Sequence, residues 1–127
     1  MKKLLLATII ISQLFTACSK SKNSDPVLIS IENQTGFEVE EVFVAMENFE
    51  NSNTYGNIKA GDSSPYKVFK LAYSYGYIKL YINKEEFIQQ PIDFVGETNL
   101  APGKHTLILK LLDQNDQRIL RSTYRKD

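Results

Sequence analysis

His105 is the one histidine of this 127-residue chain and Cys18 its one cysteine, so few residues are available for chemistry. Nucleophilic catalysis on the Ser-His-Asp plan needs an imidazole to take the proton. His105 directly follows the Pro102-Gly103-Lys104 turn, where a histidine reads as a surface residue at the start of a strand. With one histidine and one cysteine, a metal would depend on carboxylates, which favour calcium. Asp113-x-Asn115-x-Gln117 opens like an EF-hand loop, but Arg118 stands where that loop needs glycine and Tyr124 where it needs the closing glutamate. The segment reads instead as a hairpin turn. Asp93 and Glu97 could in principle flank a glycosidic bond, although two nearby carboxylates on a loop imply no groove. There is no glycine-rich phosphate cradle. The expectation is a chain without enzyme activity, metal or cofactor.

The pattern that stands out is aromatic. Tyr73, Tyr75, Tyr77 and Tyr81 lie at even spacing around Lys79, and in a regular strand all four share one face. Tyrosines are rigid and amphipathic, so they offer contact area at low entropic cost and stack on sugars or on partner loops. The competing expectation packs these rings against cross-strand neighbours or into a core. Burial of Tyr75, Tyr77 and Tyr81 between two sheets would remove the binding reading.

The elements that must position these residues read as strands. After Pro26 the apolar residues recur every second position, with no helical pattern of ten or more residues. Val27, Ile29 and Ile31 alternate with Leu28, Ser30 and Glu32, and Asn33-Gln34-Thr35-Gly36 turns the chain. Residues 39–46 form a second strand, with Val42, Val44 and Met46 on one face and Glu41, Phe43 and Ala45 on the other. Residues 48–57 are polar and read as a loop, residues 60–65 as a turn, and residues 66–71 as a strand. The clearest strand is 75–82, joined by a tight hairpin at Asn83-Lys84 to 85–90. Pro91 ends that strand or confines it to an edge. Residues 92–101 form an irregular connection whose Ile92, Phe94 and Val95 plug one end of the core, with Asp93 and Glu97 accepting backbone hydrogen bonds that hold it. A Pro102-Gly103 bend and a closing hairpin of 106–112 with 118–124 complete about seven short strands. The fold class expected is all-β, a single β-sandwich resembling the immunoglobulin or transthyretin type.

What precedes the strands has a different character. Lys2 and Lys3 are followed by a largely apolar run from Leu4 to Phe15, too short to cross a bilayer and of the length of an export signal. Phe15-Thr16-Ala17-Cys18 resembles the lipobox of bacterial lipoproteins, in which small residues precede a cysteine whose sulfur carries diacylglycerol; Phe15 stands where a smaller aliphatic residue is usual. A lone cysteine in an exported chain has no disulfide partner, which leaves a free thiol or an acylation site. The organisation expected is a signal peptide over 1–17, a lipidated Cys18 and flexible tether over 18–26, and a β-domain over 27–127. Ser19 to Asp25 contain no apolar residue and fully extended would reach about 24 Å, which keeps the domain near its membrane. By resemblance to enterobacterial sorting rules, Ser19 after the cysteine points to the outer membrane. Lys20 and Lys22 stand where tethers of surface-exposed lipoproteins carry acids, so the facing of the domain stays open.

Without the signal peptide the chain carries 13 basic and 15 acidic residues, for a net charge of −2. That gives no reason to expect a nucleic-acid partner. Charge is nevertheless uneven, with Glu32, Glu38, Glu40, Glu41, Glu47, Glu50 and Asp62 near the start of the domain and Arg118, Arg121, Arg125 and Lys126 at its end. These are either two solvated faces of opposite sign or two edges that meet each other or orient a partner.

Tyr55-Gly56-Asn57-Ile58, Ala60-Gly61, Ser64 with Tyr66-Lys67, Ala72-Tyr73 with Tyr75, and Gln90 through Glu97 together resemble an uncharacterised family of small Bacteroidetes-type lipoproteins. The resemblance covers residues 27–127. It implies the envelope and a single β-domain, and no catalytic residue. The function expected is therefore that of a lipoprotein held at the outer membrane by Cys18, acting as a non-enzymatic binding module for an envelope protein or glycan. The alternative is a structural part of an envelope complex, joined through edge-strand pairing.

Overall fold

A computed structural model describes residues 25–91 and 99–127. Eight strands follow one another: β1 (Val27–Asn33), β2 (Val39–Met46), β3 (Asn48–Ile58), β4 (Lys67–Phe69), β5 (Tyr77–Ile82), β6 (Glu85–Gln89), β7 (Gly103–Gln114) and β8 (Gln117–Lys126). They form two four-stranded sheets, β4-β1-β7-β8 and β3-β2-β5-β6. β1 and β7 run parallel and every other pair is antiparallel. The sheets pack face to face as a β-sandwich; the segments expected to be signal peptide, lipidated Cys18 and most of the tether lie outside the described residues, as do Ile92, Phe94 and Val95, expected to plug the core, and Asp93 and Glu97.

Alternation supplies the core. Ile29 and Ile31 of β1, Val42, Val44 and Met46 of β2, Ile78 and Leu80 of β5, Leu107 and Leu109 of β7 and Leu120 of β8 are all buried between the sheets. Each such side chain contributes about 1.5–3 kcal/mol on leaving water. In β2, Val39 and Val42 both point inward although they are three residues apart. The pairing of β2 with both neighbours shifts between Glu40 and Phe43, and Glu41 takes a φ of 51°. One extra residue at this bulge restores the inward parity that a regular strand would lose. The N–H of Glu41 donates to Asn57 Oδ1 at 3.0 Å, which fixes the bulge.

Both two-residue hairpins have positive φ at each central residue, 49° and 67° at Asn83-Lys84 and 51° and 62° at Asn115-Asp116. That is the turn whose twist matches the flanking strands. The turn after β1 is organised by Asn33, which is fully buried. Its Nδ2 donates to the carbonyls of Phe37 and Ile58, and its Oδ1 accepts from the N–H and hydroxyl of Thr35.

The eighth strand is β3, where the sequence reads as a polar loop. β3 lies at the edge of the second sheet; Asn53 and Tyr55 bond to backbone of the other sheet and Asn51 to backbone just past β4, while the Tyr55 ring also packs on the core. Asn51 Nδ2 donates to Leu71 O, Asn53 Nδ2 to Val68 O and the Tyr55 hydroxyl to Ile29 O, at 2.6, 2.7 and 2.8 Å. On the opposite side of the sandwich, buried Gln89 of β6 donates to Ser122 Oγ and accepts from the Ser122 N–H. Polar side chains thus lace both open sides of the sandwich. The remaining differences concern strand ends: β4 is shorter than expected, β7 and β8 are longer, and β5 begins at Tyr77 rather than Tyr75.

Candidate functional site

The outer face of the second sheet carries the aromatic residues. On β5, burial of Ile78, Leu80 and Ile82 turns Tyr77, Lys79 and Tyr81 outward. β2 lies beside it with Ala45 opposite Tyr77, Phe43 opposite Lys79 and Glu40 opposite Tyr81. Phe43, also outward, meets Tyr77 edge to face with ring centroids 6.1 Å apart. Phe49 comes from the first turn of β3, after Glu47 at a φ of 48°, and folds back over this pair. Its centroid is 5.2 Å from Tyr77 at 88° and 6.1 Å from Phe43. Phe49 nonetheless remains 66% exposed, the most exposed large apolar side chain among the described residues.

Beyond the three rings lies a polar half. Glu86 of β6 is the cross-strand partner of Tyr81 and accepts its hydroxyl at 3.1 Å. Lys79 Nζ is 3.8 Å from the same carboxylate oxygen and 5.7 Å from the Tyr81 ring centre. The Tyr81 oxygen first, and then the Glu86 carboxylate, hold the Lys79 ammonium above its ordinary range. Exposed pairs of this kind add little stability, so the stability of the fold does not account for them. Glu41, Phe43, Phe49, Tyr77, Lys79 and Tyr81 together line a shallow depression of about 370 Å³. Phe49 and Tyr77 separate it from a second hollow reaching Met46, Asn48, Gln90 and Pro91. Aromatic walls beside a few placed polar groups are the usual make-up of a ligand site.

Of the four tyrosines singled out in the sequence, the structure brings two together on this face. Tyr77 and Tyr81 are half-exposed and point outward. Tyr73 is 8% exposed and bridges to Asn99, while Tyr75 sits in the bend before β5. The even spacing fails because the chain is irregular until Gly76, where a Cβ would come within 2.8 Å of Met46 Sδ. Phe43 and Phe49 take the places left vacant. The outward parity of Phe43 was visible in the alternation of β2, but the position of Phe49 in a polar segment gave no signal.

His105 corrects a second expectation. It is fully buried, sharing inward parity with Leu107 and Leu109. Nε2 donates to the Ala101 carbonyl at 2.6 Å, and Nδ1 shares a hydrogen bond with the Tyr124 hydroxyl at 2.8 Å. It therefore pins the 101–105 bend. The Asp113 to Gln117 segment is the β7–β8 hairpin. Among the described residues no group of three or more His, Cys, Asp or Glu side chains could hold a metal.

No family model and no curated protein matches this chain. Among solved structures, the NMR structure of a protein from Eubacterium rectale is similar, with a TM-score of 0.57 and 17% identity over 80% of this chain and 92% of that one. At that identity the likeness extends to the fold alone.

Proposed function

We propose that this chain is a lipid-anchored protein of the bacterial envelope, held by Cys18 at the outer membrane, and that it acts by binding a glycan on the outer face of its second sheet. The anchor is supported by the sequence of residues 1–18, and the domain follows a short tether. The binding reading is carried by one observation. Phe43, Phe49 and Tyr77 form an exposed ring cluster that continues into the Lys79, Tyr81 and Glu86 hydrogen-bonding group. A sugar ring presents polarised C–H groups to the negative face of an aromatic ring while its hydroxyls meet carboxylate, ammonium and phenol. The depression suits one or two sugar units, whereas a stable protein contact needs about 800 Å² on each partner.

Binding through the face is favoured over edge-strand pairing because side chains already bond backbone on the β8 edge and along β4, the two edges of the first sheet. Gln89 occupies the Ser122 amide on β8, and Asn51 and Asn53 occupy carbonyls beside β4. The test is a glycan array probed with the folded chain and with Phe49→Ala and Tyr77→Ala. Each loss of a stacking ring should weaken retention of the bound glycan by about tenfold while melting is little changed. Binding that survives both substitutions would move the site elsewhere, and an array without any bound glycan would favour a protein partner on this face.

A further inference from the structure

We propose that the outer face of the other sheet docks on an anionic lipid surface, the bilayer that carries the anchor; this rests on the anchored reading above. Parity turns Lys104, Ile108, Lys110 and Leu112 of β7 outward, and Ile119, Arg121, Thr123 and Arg125 of β8 with them. Lys110 and Arg121 are direct cross-strand partners, both exposed, and among the described residues neither makes an ion pair. Like charges placed opposite each other destabilise a sheet, and a bound anionic surface relieves that repulsion. Arg125 differs, since Glu32 at 3.4 Å and Asp127 at 3.1 Å answer its charge.

Apolar side chains lie on the same plane. Leu112 is 50% exposed and pairs with Ile119 beside the two cations, while Val68, 58% exposed, pairs with Leu28 at the far side of the sheet. Basic residues interleaved with exposed aliphatics are the surface that lipid headgroups and the upper acyl region attract. The opposite face of the sandwich carries the Glu41 and Glu86 carboxylates around the aromatic depression. Lys79 is the cation among them, whereas on the first sheet's face Glu32 and Asp127 answer Arg125 and, among the described residues, leave Lys110 and Arg121 unanswered.

The tether fits this orientation. Gly103 N–H bonds to Pro26 O at 3.3 Å, so the root of the tether lies at the first residue of β7. With the sheet laid flat on the bilayer, that root stays at lipid level within the reach of about 24 Å that seven extended residues allow. The aromatic face then points away from the membrane, toward a glycan.

The test uses the full lipidated chain in vesicles, with Leu112→Cys or Ile88→Cys as the one free thiol for a fluorophore and nitroxide-headgroup lipid as quencher. Vesicles of phosphatidylglycerol with phosphatidylcholine should quench the label at 112 and leave the one at 88, on the opposite face, bright. Lys110→Ala and Arg121→Ala should each lower the docked population about fivefold, Lys59→Ala should leave it unchanged, and salt at about 0.5 M should abolish the difference. A chain that fails to float with any vesicle removes the anchor and this proposal with it. A chain that floats but shows equal quenching at 112 and 88, or quenching indifferent to lipid charge, overturns the docking and leaves the anchor standing.

Discussion

Asn33 makes four hydrogen bonds with no exposed surface, and of its partners the Phe37 carbonyl also accepts from the Thr35 hydroxyl at 3.0 Å. Asn33→Ala strands the Ile58 carbonyl and frees the 33–37 turn, so urea denaturation should show a loss of about 2–3 kcal/mol. Asp127 is more exposed and matters through pH. The Thr106 hydroxyl first, then the Tyr66 hydroxyl, hold its carboxylate below the ordinary value of 3.8. A depressed folded-state value means that this contribution to stability is present above about pH 3.8 and is lost as pH falls below it. Asp127→Asn should therefore have a lower urea midpoint than the parent at neutral pH, with the gap closing in acid. A gap of the same size at neutral and acid pH would deny the carboxylate that role. Burial also pushes the Tyr55 phenol above its ordinary value of 10, so Tyr55→Phe should blunt alkaline unfolding above that pH.

Strands with one apolar face announced themselves, and strands with polar inward faces did not. β5 and its Asn83-Lys84 turn were legible because Ile78, Leu80 and Ile82 alternate and Asn83 tolerates positive φ. β3 was hidden because Asn51 and Asn53 satisfy backbone carbonyls instead of filling a core, which leaves Tyr55 and Ile58 as its apolar contributions. The start of β5 was misplaced because tyrosine spacing continues through Gly76, before which the chain bends, and whose missing side chain leaves room for Met46 and the Ala45 carbonyl. Gly76→Ala should accordingly lower the melting temperature, by an amount equivalent to about 1–3 kcal/mol of overpacking. Gln89 ties the edges of β6 and β8. Gln89→Leu would leave the Ser122 amide unpaired, and hydrogen exchange should accelerate along β8 more than along β7. Uniform acceleration across both strands would show that the tie acts on the whole core.

The sandwich as a whole separates two surfaces of different chemistry. One face offers rings beside a lysine, a tyrosine and a glutamate; the other offers opposed cations with exposed aliphatics. The core between them was readable from period-two alternation, down to Ile29, Ile31, Val44 and Leu80. The site was half readable, since Tyr77, Lys79 and Tyr81 stood out while Phe49 depended on the tight turn at Glu47 that leads β2 into β3. Burial of His105 follows the same logic, because its inward parity with Leu107 outweighs its position at a strand start.

The most direct test of the account places a photocrosslinking residue at Phe49 and, separately, at Tyr66, a 39% exposed residue away from the aromatic face, in chains expressed in intact envelopes. The account predicts a glycan-bearing adduct from position 49 that disappears when Tyr77→Ala is added, and none from position 66. An adduct from position 66 alone, or one from position 49 that persists without Tyr77, would contradict the assignment of the aromatic face as the binding surface.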